Sequence, residues 1–218
     1  MGARAARPTL RLERELLGSG TGLLAGIDEV GRGAVSGPVS VGVVVIDARI
    51  GRAPAGIRDS KLLTAQARED LVPLIRRWVR SYAVGHASAA EIDESGIMAA
   101  LRLAALRALA DLPQEPDVLL LDGSHDWLTA PSQASLFGAE SAAVPPVVTR
   151  IKADMSCTSV AAASVLAKTE RDALMRELSG EHPAYGWDVN KGYATAEHLD
   201  AIRSLGTCRH HRRSWNLP

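Results

Sequence analysis

The sequence predicts an α/β fold in a single large domain, and three observations support that prediction. The length of 218 residues fits one domain, and a hydrophobic fraction of 46% is sufficient for a buried core. Five short apolar segments have the composition of strands, and segments with helical periodicity separate the later ones. Aromatic residues make up only 4% of the chain, so we expect Leu, Val and Ala to fill the core.

Composition and charge exclude several classes of protein. The formal net charge is zero, which argues against a generally basic nucleic-acid coat but not against a local basic groove. Arg4 and Arg7 are not followed by the apolar region of a signal peptide, and no run approaches the length of a membrane span. Cys157 and Cys208 lack CxxC spacing and are expected to be free thiols. We therefore expect a soluble, cytoplasmic protein that does not associate with membranes.

The first quarter of the chain contains a predicted helix and two predicted strands. Residues 1–9 are expected to be a disordered lead-in, and alternating Arg and Glu at helical spacing predict a helix over Leu10–Leu17. An apolar run predicts a strand over Leu23–Ile27, and β-branched residues predict a second, buried strand over Pro38–Asp47. The short glycine-containing loop between the two strands is typical of a β-hairpin.

Strands and helices alternate in the rest of the chain. The remaining predicted strands are Val79–Ala87, Val118–Leu121 and Val147–Ile151, of which the second is expected to be central and parallel. The predicted helices are Ala65–Trp78, Ala89–Glu94, Ile97–Leu109, Cys157–Leu178 and Thr195–Leu205. Ser60 or Thr64 is expected to cap the first of these helices, Thr195 the last, and Gly180 to end the longest. Residues 124–144 form a loop region without a predicted structure.

Four acidic residues lie at or near the ends of predicted strands. Asp28 and Glu29 are adjacent within an apolar run, and Asp122 and Asp154 each follow an apolar segment beside a turn signal. Neighbouring strand residues point to opposite faces, so at most one of Asp28 and Glu29 can face away from the core. Carboxylates gathered together repel each other and favour hard cations such as Mg²⁺ or Mn²⁺. Taken singly, each acid is more commonly a turn or capping residue, and spacing alone does not bring the four together.

Seven motifs in a fixed order carry a resemblance to a known family. They are Gly26–Gly33 (GIDEVGRG), Asp59–Leu62 (DSKL), Leu121–Gly123 (LDG), Lys152–Asp154 (KAD), Ser159–Lys168 (SVAAASVLAK), Lys191–Thr195 (KGYAT) and His210–Ser214 (HHRRS). Each motif alone is a weak signal, but seven in order are specific. From Leu23 to Trp215 the sequence resembles bacterial ribonuclease HII, the type 2 ribonuclease H family.

That resemblance implies an RNase H-like fold, with a central mixed five-stranded sheet flanked by helices and a C-terminal helical segment. It implies one catalytic domain over residues 1–218, with 1–20 as an N-terminal extension and about 180–218 as a substrate-contacting segment. Two Mg²⁺ or Mn²⁺ ions would be held by the catalytic carboxylates Asp28, Glu29, Asp122 and Asp154. The implied reaction is hydrolysis of the RNA strand of RNA–DNA hybrids and incision 5′ of single ribonucleotides in duplex DNA, leaving 3′-hydroxyl and 5′-phosphate ends.

The resemblance also implies substrate contacts. The loop Gly31-Arg32-Gly33 would recognise the ribose 2′-hydroxyl mainly through backbone groups, because glycine permits close backbone approach. Tyr193 would pack on the next deoxyribose and favour an RNA-to-DNA junction. Arg32 itself is interpreted as a substrate contact, with a surface charge as the alternative.

Three further residues have competing interpretations. Lys61 is either a contact to a backbone phosphate or a charge at the start of a helix. Ser164 and Lys168 lie one helical turn apart and so share a face, where they are expected to bind a phosphate. A Ser-Lys nucleophile pair is the rival interpretation, but no oxyanion motif accompanies it.

The remaining histidines and tryptophans are expected to be mainly structural. His125 and Asp126 are interpreted as loop residues, His198 as a buried structural residue, and Trp187 and Trp215 as packing residues. The basic stretch Arg209–Arg213 is expected either to bind phosphate or to cap the domain.

The sequence departs from the family pattern in two places. Ala153 stands where the family usually has Gly before the fourth acid, which strains the backbone only if that position needs a positive φ. His125–Pro145 is longer and richer in Ser and Ala than expected, and its role is open.

The sequence disfavours two alternative assignments. A non-catalytic hybrid-binding module of the same fold would lack one or more of the four acids, all of which are present. Ribonuclease HIII carries an extra N-terminal domain, for which the region before Leu23 leaves no room. Ser214–Pro218 shows no evident sliding-clamp peptide. We expect a monomer whose partners are RNA–DNA hybrids and ribonucleotide-containing duplex DNA.

Overall fold

Five strands form one mixed sheet in the computed structural model, which describes residues 7–18, 22–129 and 144–218. The strands are β1 (Leu23–Val30), β2 (Val39–Asp47), β3 (Ser81–Ala87), β4 (Val118–Asp122) and β5 (Val147–Arg150). Their order across the sheet is β3-β2-β1-β4-β5. Antiparallel pairing joins β1 to β2 and β2 to β3, whereas β4 is parallel to β1 and β5 is parallel to β4. The predicted mixed sheet and hairpin are confirmed, and β4 is an interior strand that is parallel to both of its neighbours, as predicted.

The helices cover both faces of the sheet. They are α1 (Arg11–Gly18), α2 (Ala65–Trp78), α3 (Ala89–Ser95), α4 (Ile97–Ala110), α5 (Ala153–Ser156), α6 (Thr158–Glu181), α7 (Trp187–Asn190) and α8 (Ala196–Leu205). The side chains of Thr64 and Thr195 accept hydrogen bonds from the first turns of α2 and α8, as predicted. Ser60 instead begins a 3₁₀ turn, Ser60–Leu62.

The pleat of the strands divides the core into two layers. Leu24 belongs to the cluster that packs under α6, whereas Ile27 packs on the other face against α4. The small-residue run in α6 lets that helix approach the sheet closely. A Cβ added to Gly42 of β2 would lie only 2.4 Å from the carbonyl oxygen of Ala163. Helix α6 therefore packs directly against β1 and β2.

The N-terminal helix is part of this core. Thr9 pairs with the chain around α5 and α6, since its N–H donates to the Ser156 carbonyl at 3.0 Å and its carbonyl accepts from Thr158 at 3.2 Å. The fully buried Glu13 carboxylate accepts bonds of 2.9 Å from the N–H and the hydroxyl of Ser159 in the first turn of α6. Burial raises the pKa of Glu13, and the hydrogen bonds from Ser159 and the helix dipole oppose that rise. The predicted disorder is thus wrong at Thr9, and residues 1–6 lie outside the described part.

Two predicted boundaries are wrong. Asp154 lies in the first turn of α5 and not at a strand end, because Lys152 adopts a left-handed backbone (φ 56) that ends β5. Gly180 does not end α6, which continues to Glu181. A single glycine costs a helix only about 1 kcal/mol, whereas the next residue but one, His182, precedes Pro183 and is disfavoured in the helical region.

The C-terminal segment is held by a buried aromatic and histidine cluster. Nδ1 of His198 lies 2.8 Å from the Tyr193 carbonyl and so must donate, which leaves Nε2 of His198 to accept the Trp187 indole N–H at 3.0 Å. Nδ1 of His211 accepts the Cys208 N–H at 3.0 Å. The predicted packing role of Trp187 and structural role of His198 are confirmed.

Several smaller expectations can also be checked. Both cysteines are free thiols, as predicted. Asp126 accepts hydrogen bonds from Leu128 and Thr129, in agreement with its interpretation as a loop residue. Most of the long stretch His125–Pro145 lies outside the described residues, which stop at 129 and resume at 144. Within the described ranges, every helix is too short or too polar to cross a bilayer.

Candidate active site

The register of the parallel strands brings the predicted acids to one edge of the sheet. Ile27 of β1 is opposite Leu121 of β4, so the residues that follow them, Asp28 and Asp122, lie side by side. The N–H of Ala153 donates a 2.6 Å hydrogen bond to Oδ1 of Asp122, which places Asp154 beside the same strand end. Parallel strands therefore gather acids that are widely separated in the sequence.

Asp28 and Glu29 approach this edge from opposite faces of β1. Asp28 shares the α6 face of the strand and is 5% exposed. Glu29 shares the α4 face, and its side chain is 19% exposed. Both line a cleft of about 420 Å³ at the strand end. The pleat thus separates the two side chains, and both still reach the cleft.

The acids interact electrostatically. Burial raises the pKa of Asp28 well above its usual value, and the negative charges of the other three acids raise it further. Burial and then the charge of Asp122 raise the pKa of Asp154. Burial also raises the pKa of Glu29 despite the opposing charge of Arg32. The mutual repulsion of these carboxyl groups would make a bound cation favourable.

The residues present fit a hard divalent cation. All four side chains offer only oxygen, the donor that Mg²⁺ and Mn²⁺ prefer. Oε2 of Glu29 is buried and has no hydrogen-bond partner. Unpaired buried carboxylate oxygens are costly, and a metal ligand role would satisfy this one.

The glycine-arginine-glycine loop forms one wall of the cleft. Gly31 has φ 82, and a Cβ there would lie 2.1 Å from Nε of Arg171. Gly33 is exposed, and an added Cβ would meet nothing within 4 Å. The Arg32 side chain is 52% exposed and its Nη1 lies 3.6 Å from Oε1 of Glu29. The loop therefore presents open backbone at Gly33 and a charged side chain at its tip.

Lys61 lines the cleft, whereas Ser164 lies outside its lining and contacts the turn that carries Lys61. Nζ of Lys61 is 3.7 Å from Oδ2 of Asp154, and its side chain is 75% exposed. Burial lowers the pKa of Lys61, but the surrounding carboxylates outweigh it and raise that pKa overall. Ser164 is buried and donates a 2.7 Å hydrogen bond to the Ser60 hydroxyl, so it supports the turn that carries Lys61.

Lys168 and Tyr193 complete the cleft. Nζ of Lys168 donates a 2.7 Å bond to Asp172 and lies 5.9 Å from the ring of Tyr193. The hydroxyl of Ser164 is bonded to Ser60 and is inaccessible to a substrate, which argues against a Ser-Lys nucleophile pair. All of the predicted substrate-binding residues except Ser164 line the cleft.

Comparison with known proteins identifies the family. The family model described as ribonuclease HII matches residues 25–217.

The chain belongs to the ribonuclease HII family.

Individual relatives agree with this assignment. A ribonuclease HII of Streptomyces coelicolor is 48% identical over 209 residues, which cover 95% of this chain and 83% of the relative. The crystal structure of ribonuclease H2 from Pyrococcus horikoshii superposes with a TM-score of 0.70 at 30% identity, covering 89% of this chain and 94% of that one. RNase HII in its complex with PCNA from Archaeoglobus fulgidus gives 0.68 at 28% identity, with coverage of 90% and 96%. Ribonuclease HII membership makes this chain a metal-dependent endoribonuclease with an RNase H-like fold.

Two buried arginines hold the loop Gly31-Arg32-Gly33 in place. Sequence analysis did not single out Arg171 and treated Arg212 only as part of the basic stretch Arg209–Arg213. The Arg212 guanidinium donates to the carbonyls of Gly31 at 2.6 Å and Arg32 at 2.9 Å. Arg171 donates to the carbonyls of Pro38 at 2.8 Å and Lys191 at 2.9 Å. Both side chains are fully buried, and burial lowers the pKa of each. Their partners are main-chain carbonyls, which no side-chain motif reveals.

The basic stretch Arg209–Arg213 contains both buried and exposed residues. His211 and Arg212 are buried and brace the fold, so the capping interpretation holds for them and phosphate binding does not. Arg213 is exposed. Charge alone could not separate these neighbours, because their burial depends on the loop against which the tail packs.

Proposed function

We propose that this protein hydrolyses the RNA strand of RNA–DNA hybrids and incises duplex DNA 5′ of single ribonucleotides, leaving 3′-hydroxyl and 5′-phosphate ends. One observation carries the proposal. Asp28 and Glu29, the latter with an unpaired buried oxygen, share a cleft with the exposed backbone of Gly33, and Asp122 lies beside Asp28 at the end of the adjacent strand. A group that cleaves phosphodiesters thereby lies beside one that can contact a sugar.

The carboxylates supply the cation site. When bound by Asp28, Glu29, Asp122 and Asp154, two Mg²⁺ or Mn²⁺ ions would activate a water and neutralise charge on the leaving oxygen. The chain itself orients these ligands. The Ala153 N–H fixes Asp122, and the surrounding core excludes bulk water from Asp28. No protein nucleophile is required.

The loop Gly31-Arg32-Gly33 and Tyr193 would recognise the sugar. The 2′-hydroxyl distinguishes RNA from DNA and needs both a donor and an acceptor close to it. Gly33 has open space around its Cα and can be approached by a ribose. Tyr193 is 36% exposed and presents a ring to the same cleft, where a deoxyribose can pack without steric conflict from a hydroxyl.

Charged side chains would guide the phosphates. Lys61 and Arg32 both have exposed side chains at the cleft and carry their charges next to the carboxylates. Lys168 is paired with Asp172, so its proposed contribution is shared between holding Tyr193 and facing a phosphate. Ser164 acts through Ser60 and Lys61, as a positioning residue. Residues 180–218 would form the adjoining wall of a single catalytic domain that acts as a monomer.

The test uses three end-labelled duplexes of one sequence: an RNA–DNA hybrid, a DNA duplex with one ribonucleotide, and an all-DNA duplex. With Mg²⁺ or Mn²⁺ we expect cleavage of the first two only, with the single incision 5′ of the ribonucleotide. Ligation and phosphatase treatment of the products identify their ends. Cleavage of the all-DNA duplex would contradict the proposal, and hybrid binding without any cleavage would support the binding-module alternative.

A further inference from the structure

A second group of possible metal ligands lies where the C-terminal tail meets the end of α6. Glu181 is the last residue of α6, His182 follows it, and His210 belongs to the tail. A carboxylate oxygen and one imidazole nitrogen from each histidine all lie within 4.8 Å of one another. None of these residues belongs to the carboxylate cluster of the cleft.

A cation already occupies this position in the form of Arg209. Nη2 of Arg209 donates a 3.0 Å hydrogen bond to Oε2 of Glu181, and its Nε donates one of 3.0 Å to Nε2 of His210. Because Nε2 of His210 accepts a bond, it is unprotonated and directs its lone pair at the guanidinium. Two ligand atoms therefore already converge on one positive group.

The guanidinium is a weak competitor for a divalent ion. The side chains of Arg209 and Glu181 are 73% and 56% exposed, and ion pairs at such positions contribute little to stability. Nε2 of His210 accepts the bond from Arg209, so its lone pair is available to a metal ion once the guanidinium moves away. Arg209 can turn into solvent without breaking any buried contact.

We propose that Glu181, His182 and His210 bind Zn²⁺. Two imidazoles and one carboxylate are a zinc donor set, whereas Mg²⁺ prefers oxygen alone. The bound ion would join the end of α6 to the tail. The tail carries Arg212, and the carbonyl of His210 accepts a 2.8 Å bond from Gly37, so the ion would also stabilise the loop at the cleft.

Zinc titration of the full chain in excess Mg²⁺, which fills the carboxylate cluster, tests the proposal. Calorimetry should show one Zn²⁺ per chain, and the melting temperature should rise with zinc concentration. Glu181→Gln and His210→Ala should each weaken zinc binding by at least about tenfold. Arg209→Ala should bind zinc more tightly than the wild type, because the competing cation is gone.

Glu177→Gln is the matched control, since Glu177 is an exposed carboxylate one turn earlier on α6. It should bind zinc as the wild type does. Glu181 is exposed, so loss of binding in Glu181→Gln cannot be attributed to misfolding. Absence of a zinc-dependent melting shift in the wild type, or equal affinity in Glu181→Gln and Glu177→Gln, would overturn the proposal.

Discussion

The main-chain N–H of Ala153 donates a 2.6 Å hydrogen bond to Oδ1 of Asp122. This bond couples the acid at the end of β4 to the short helix that carries Asp154. The left-handed residue at this corner is Lys152, with φ 56, while Ala153 is helical. Alanine in place of the family's usual glycine is therefore unstrained.

Ala153→Gly should destabilise the protein by about 1 kcal/mol. The backbone at 153 is helical, and glycine loses more conformational entropy than alanine when it is fixed in a helix. Urea unfolding measures this difference, and cleavage should stay within about twofold of the wild type. Lys152→Gly is the companion variant and should be stabilising, since glycine tolerates the left-handed backbone. A more stable Ala153→Gly would show that the backbone at 153 is strained after all.

Asp28→Asn should abolish cleavage while the fold is retained. Loss of a metal ligand removes several kcal/mol of transition-state stabilisation, so hybrid hydrolysis should fall by at least about a thousandfold. The melting temperature in EDTA should be no lower than in the wild type, because the buried charge and its repulsion are removed. Asp122→Asn should behave similarly in the cleavage assay, and the exposed Glu94→Gln should retain full activity. Wild-type rates in Asp28→Asn would refute the assignment.

Gly31→Ala should lower stability, whereas Gly33→Ala should impair only substrate cleavage. At Gly31 a methyl group would collide with Arg171 on a left-handed backbone, so the melting temperature should drop. At Gly33 there is open space and no positive φ, so the fold should be unaffected. Loss of ribonucleotide incision in Gly33→Ala would then report on substrate approach alone. Unchanged KM and kcat in Gly33→Ala would exclude close sugar contact at that residue.

Arg212→Lys should destabilise the protein by roughly 3 kcal/mol, since an ammonium cannot serve the carbonyls of Gly31, Arg32 and Gly37 together. The KM for the hybrid should rise because the loop loses its brace. Equilibrium unfolding and steady-state kinetics measure the two effects. Arg213→Lys changes an exposed neighbour and should leave both quantities unaltered.

The buried histidine pair should make stability depend on pH. Burial lowers the pKa of His211 from 6.5 to about 4, with the charge of His198 as a second cause. Between these values the unfolded chain binds more protons than the folded one, so stability rises with pH and is lost as pH falls from 6.5 towards 4. His211→Gln should flatten this part of the curve of unfolding free energy against pH. The exposed His125→Gln should keep the wild-type slope; identical slopes in all three proteins would rule out the effect.

Patterning of apolar residues predicts most of the fold correctly. The strands from Leu23 and Val39 and the helix Ala65–Trp78 are set by local chemistry: β-branched runs, a Thr cap and helical periodicity. Parallel pairing of β4 follows from its continuous apolar character. The resemblance adds the placement of the acids, which residue spacing alone leaves open.

Tertiary effects account for what sequence patterning misses. Lys152 turns the chain so that Asp154 enters a helix, and a lysine in the left-handed region has no sequence signature. Arg171 and Arg212 resemble surface charges until the carbonyls they serve are known. Glu13 likewise looks like an exposed helix residue, although it is buried against Ser159. Each case depends on a partner that is distant in the sequence.

The hydrogen bond from Arg212 to the carbonyl of Gly31 can form only late in the synthesis of the chain. The two residues are separated by 181 positions, so a growing chain exposes the loop long before the ribosome has added the arginine that steadies it. All four acids are translated before Arg212 as well. The loop Gly31-Arg32-Gly33 therefore lacks this hydrogen bond until Arg212 has emerged from the ribosome.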